Sequence, residues 1–192
     1  MLHPAEHRAL RELHATTRQL RNHWRKLGRW LDSEYLTQVA DHAEHLLSEL
    51  EPRLDADYDL HGRPAAQALG ARFAGARGAT DVLLERNQAL RAALLDLQHV
   101  VTLLDYTRVL ALARDDQELA TFLRDWRQAL EPFEPRGRSL VEALAGDPDA
   151  AIAPAQDSPV GRAGVKVGVA LGALGEAIDN SRFGRLSRRR NT

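Results

Sequence analysis

The chain has 192 residues, 44% of them hydrophobic and 28% charged, with a formal net charge of −1, which allows one domain with a proper core and is too short for two ordinary ones. It contains no cysteine, which excludes disulfides, thiol catalysis and thiolate metal sites. The opening MLHPAEHRAL has no apolar stretch of the kind a secretory signal needs, and no run approaches the roughly 18 apolar residues of a membrane span, so a cytoplasmic location is expected.

The near-neutral total conceals a segregation of charge. Residues 1–31 hold seven bases against two acids, residues 32–63 hold nine acids against two bases, and the last eleven residues carry five arginines and no acid.

Residues 5–31 read as the first helix. Leu10, Leu13, Thr17, Leu20, Trp24, Leu27 and Leu31 recur at alternating spacings of three and four, the period of one helical face. About a quarter turn away, His7, Arg11, His14, Arg18, Arg21, Arg25 and Arg29 form a second line that contains no acid. Each arginine there could make a two-pronged contact with a phosphate of a polyanion. The favoured expectation is that the line pairs across a hairpin with Glu34, Asp41, Glu44 and Glu49 of the second helix, predicted over 33–50 and stopped by Pro52. Residues 51–64 then read as an acidic loop.

Pro64 opens a third helix on which Ala66, Gly70, Ala74 and Gly78 recur every fourth position. After a restart capped by Thr80 or Asp81, the pattern runs unbroken to about 114. Its second half, VVTLLDYTRVLALA, is apolar on most sides and is predicted to be the most buried segment of the protein. Asp115 and Glu118 are spaced as a capping box for a helix over 116–131. Pro132 and Pro135 end that helix, and 139–145 forms one more short one.

Residues 147–160 are rich in proline and alanine and read as a linker between a bundle, 1–146, and a C-terminal segment, 161–192. In that segment Gly164, Gly168 and Gly172 recur every fourth residue. Glycine weakens a helix by about 1 kcal/mol per residue, so the stripe is expected to dock closely, on Ala66, Gly70 and Ala74 of this chain or of a partner. The arginine tail, with Arg185, Arg188, Arg189 and Arg190, is a second candidate contact for an anionic polymer or a membrane surface.

No motif points to catalysis. His23-x-x-Lys26-x-Gly28 is one residue longer than the His-x-x-Lys-Gly of phosphotransfer bundles, and the Arg18-x4-His23 spacing, found in some helical ribonucleases, is expected by chance on an arginine-rich helix. His14-x-x-x-Arg18-x-x-Arg21, and Arg77 followed by Asp81-Val82-Leu83-Leu84, faintly resemble the histidine-rich α-helical polyphosphate-binding domains. The spacings depart from that family, whose second basic helix set is missing after residue 105, so no family is assigned. The wheel places His45 and His99 on the surface, and no metal site or cofactor is expected.

The sequence thus predicts an all-α, up-and-down bundle of four or five main helices with a glycine-striped C-terminal helix. The expected role is that of a non-enzymatic interaction protein that self-associates or docks another helical protein through its C-terminal segment. The alternative is a module for polyphosphate or nucleic acid that uses the helix-1 stripe and the arginine tail.

Overall fold

The computed structural model describes residues 3–58 and 83–179, without the side chains of 55–58 and 171–179. The described residues form seven helices: α1 (Pro4–Leu31), α2 (Glu34–Tyr58), α3 (Arg86–Ala113), α4 (Gln117–Leu130), α5 (Phe133–Ala145), the five-residue α6 (Pro148–Ile152) and α7 (Pro159–Asp179). The chain is all-α with bundle-like packing, and the described residues contain no strand.

Helix α1 starts where Pro4 needs no hydrogen bond and the His3 imidazole accepts the Ala5 N–H at 3.1 Å. Its apolar seam is buried as the spacing predicts: Leu10, Leu13, Thr17, Leu20 and Leu27 have no exposed surface, and Trp24 donates from its indole to the Ala93 carbonyl at 3.1 Å. Asp32, at φ 49°, reverses the chain in the left-handed region that Asp tolerates better than most residues. The hairpin closes tightly because Gly28 has no side chain. A Cβ there would lie 2.7 Å from Thr37 Oγ1 and 3.2 Å from the Thr37 nitrogen.

Helix α2 does not stop at Pro52. It continues to Tyr58, with Pro52 inside it. Proline in a helix interior costs on the order of 3 kcal/mol, and the packing beyond it supplies the offset. Leu54 extends the buried line of Leu47 and Leu50, while Arg53 reaches Glu118 of α4 at 2.8 Å and lies over the Phe122 ring.

Helix α3 is central, packing on α1 along one side and on α4 and α5 along the other. Leu97, Val100 and Leu104 have no exposed surface. Its second half is nevertheless not the most buried segment of the protein. Tyr106, Val109 and Leu112 are 51%, 57% and 37% exposed, and Leu95 is 59% exposed one helical face over from the core. Apolar composition on all sides does not bury a helix unless neighbours cover every side, and here the described helices flank only part of it.

Two boundaries also differ from expectation. The N-cap of α4 is Asp116, which accepts the Leu119 N–H at 3.0 Å, while Asp115 turns the chain at φ 60°. Helix α5 starts at Phe133 with Pro135 in its first turn, where the N–H has no helical acceptor to lose. Where composition predicts a linker, the structure holds α6 and buries Ala151 and Ala155. Residues 153–155 lie against 84–86, tied by Arg86 N–H to Ala153 O at 2.9 Å and by Ala155 N–H to Leu84 O at 3.0 Å.

Candidate functional site

Three members of the basic line of α1 are turned toward α2. Arg21 lies 3.2 Å from Glu44, Arg25 bridges Glu44 and Asp41 at 3.2 and 3.1 Å, and His14 Nε2 lies 3.1 Å from Glu51. As the residue numbers fall on α1 they rise on α2, the signature of an antiparallel pair. His7 and Arg11 are half-buried, and Arg18 and Arg29 are exposed. Half-exposed ion pairs of this kind contribute little to stability, typically under about 1 kcal/mol each. Their consequence is electrostatic, because three of the seven side chains already face carboxylates.

Two polar contacts lie in the interior. His23, 6% exposed, places Nδ1 2.7 Å from Asp96 Oδ2, joining α1 to α3. The signal was present in the spacing: His23 lies three residues after Leu20 and four before Leu27, which puts it on the core-facing side of α1. Glu6, 1% exposed, meets Arg114 at 3.0 Å, and Arg114 in turn meets Asp116 at 2.6 Å, tying the start of α1 to the α3–α4 turn.

A third cluster joins α1, α2 and α5. Tyr35 donates its hydroxyl to the Phe133 carbonyl and stands edge-on to Trp24 with ring centroids 5.8 Å apart; the Arg136 guanidinium sits over its ring. Burial pushes the phenol up to about 12, against the opposing pull of Arg136 and a backbone hydrogen bond at Gly137. On α5, Glu134 is held below the usual carboxylate range, first by the hydrogen bond from Gln98 and then by that from Arg138.

The histidines do not converge. His42 bonds through Nδ1 to the Gln38 carbonyl at 2.9 Å and packs edge-on to Phe133, His45 is exposed, and His99 meets Glu12 at 3.2 Å on the surface. Among the described residues no three His, Asp or Glu side chains gather in a geometry that could hold a metal ion.

The C-terminal helix, like the outer side of α3, leaves apolar side chains uncovered. Gly164 meets Leu83, three residues ahead of α3: a Cβ there would lie 2.6 Å from Leu83 Cδ2 and 2.8 Å from its Cα. At Gly168, one turn on, a Cβ would have nothing within 4 Å among the described residues. Val160, Val167 and Val169 are 59%, 58% and 55% exposed. At 100° per residue, Val160 and Val167 fall on one side of α7 and Val169 on the opposite side. Gly172 lies within α7, whereas Ala66, Gly70, Ala74, Gly78 and the tail arginines Arg185, Arg188, Arg189 and Arg190 lie outside the described residues.

No helix among the described residues is long and apolar enough to cross a membrane. No family model, no curated protein and no solved structure matches the chain.

Proposed function

We propose that this chain is a non-enzymatic docking protein: a helical bundle that carries α7 as its interaction arm. One observation carries the reading. Helices α1 and α2 bury their apolar stripes almost completely, whereas α7 leaves Val160, Val167 and Val169 more than half exposed, with no described neighbour within 4 Å of a Cβ at Gly168. Apolar surface left open in this way on a charged protein supports a docking role.

The polyanion reading keeps Arg18 and Arg29, both exposed on the α1 line. It is weakened at Arg21, Arg25 and His14, whose charges face α2. Comparing the full chain with a Val160→Glu/Val167→Glu double variant separates the two. The docking reading expects unchanged helix content and unfolding midpoint, with loss of association measured by native mass or by vesicle binding. Association that survives this variant but is abolished by Arg18→Glu/Arg29→Glu would move the function to the α1 line and refute the docking reading.

A further inference from the structure

We infer that the outer side of α3 is a second contact surface, on which another copy of this chain packs antiparallel, α3 against α3. Among the described residues of α1 to α5, the exposed large apolar side chains all belong to α3: Leu95, Tyr106, Val109 and Leu112. The outward positions of the other four helices hold charged, polar or small residues. At 100° per residue, His99, Thr102, Tyr106, Val109 and Ala113 fall within about 40° of Leu95, and all six are exposed. Their spacings alternate between four and three, the seven-residue repeat by which one helix packs along another.

The strip contains no carboxylate. Its polar members are engaged within their own chain: the Thr102 hydroxyl donates to the Gln98 carbonyl at 2.8 Å, and His99 Nε2 lies 3.2 Å from Glu12. Covering the strip breaks neither contact.

Shape and charge both select a second copy, turned end for end. With the two-fold axis midway between His99 and Thr102, Leu95 lies opposite Tyr106, and Ala92 leaves room for Val109. Arg91, exposed beside the strip, is then set against the last turn of the other α3, where the helix dipole and the exposed Asp115 are negative. Parallel pairing would instead place Arg91 beside Arg91 and Asp115 beside Asp115. A polyanion would find one arginine here, and an anionic bilayer would meet Glu12 and Asp105 at the rims. From 92 to 113 the strip is about 32 Å long. Two such strips form an interface at the small end of the specific range, below about 1,200 Å² in total, so the dimer is expected to be reversible at micromolar concentration.

The inference does not rest on the α7 reading: α7 docking adds to the assembly, and the Val160→Glu/Val167→Glu variant, which removes that addition, should still dimerise through α3. The test is sedimentation equilibrium of the full chain, as wild type and in that background. Both should show a concentration-dependent dimer. Leu95→Glu should raise the dissociation constant more than about tenfold, because the change enters the interface twice, with helix content unchanged. Thr121→Glu, on the outward side of α4, should have no effect. Because the chain has no cysteine, Leu95→Cys and Tyr106→Cys each carry a single thiol. Under mild oxidation neither should cross-link with itself, since its two thiols lie about 16 Å apart along the pair, whereas a mixture of the two should form the mixed disulfide.

A chain that stays monomeric at every accessible concentration, or a dimer indifferent to Leu95→Glu, would overturn the inference. Dimerisation lost in Val160→Glu/Val167→Glu and kept in Leu95→Glu would assign self-association to α7 and leave the docking reading in place. Disulfide formation by either single-cysteine variant alone, as fast as in the mixture, would overturn the antiparallel arrangement.

Discussion

Replacing Thr17 by Val should make the protein more stable. Thr17 occupies a seam position of α1 between Leu13 and Leu20, has no exposed surface, and its hydroxyl has no hydrogen-bond partner among the described residues. A buried, unsatisfied hydroxyl costs on the order of 1–3 kcal/mol in proteins. Valine keeps the β-branched shape and has nearly the same helix propensity as threonine, so neither packing nor local structure should offset the gain. The expected stabilisation is about 1–2 kcal/mol, a rise in melting temperature of roughly 2–4 °C per kcal/mol for a chain of this size. Urea unfolding followed by circular dichroism should show a higher midpoint with an unchanged slope. A lower midpoint would mean that the hydroxyl is satisfied in solution, and the close-packed reading of the α1 seam would be wrong. Thr107, equally buried and equally unpartnered on α3, provides an independent repeat.

Two further outcomes follow from the interior contacts. Asp96→Ala removes the partner of His23 Nδ1 in a buried setting and should cost about 2–4 kcal/mol; the His23→Ala/Asp96→Ala double variant should cost clearly less than the sum of the single ones, as read from urea midpoints. For Tyr35, the folded-state value of about 12 lies above the ordinary 10.0, so its contribution is complete below about pH 10 and is lost as pH rises through 12. For this partly exposed ring the loss should be on the order of 1–2 kcal/mol. The stability gap between wild type and Tyr35→Phe should therefore narrow over that window, and a gap independent of pH would contradict the burial argument.

The parts of the fold that the sequence made legible are those where one period dominates. The α1 seam from Leu10 to Leu27 and the α2 seam from Leu36 to Leu50 are buried as their spacing requires, and the segregated charge of the two helices prefigures the Arg21–Glu44 and Arg25–Asp41 pairs. Where local chemistry competed with packing, packing prevailed. Pro52 would end an isolated helix, but Leu54 and Arg53 have partners beyond it, so α2 continues. The exposure of Tyr106 and Val109 was hidden for the opposite reason, since composition shows what a helix can bury but not how many neighbours it has. The His23–Asp96 pair joins residues 73 positions apart, and a single sequence does not show which face of α3 meets α1. Of the candidate docking stripe, Gly164 meets Leu83, and among the described residues nothing lies within 4 Å of a Cβ at Gly168.

The central claim is that α7 is an arm carried by the bundle and not part of its core, and amide hydrogen exchange on the full chain tests it most directly. Amides of α1 and α3 around Leu20 and Leu97 should open only with global unfolding, whereas those of α7 around Val167 should exchange far faster through local opening. Protection in α7 equal to that at Leu97 would contradict the account, because it would place the valine edge inside the cooperative core.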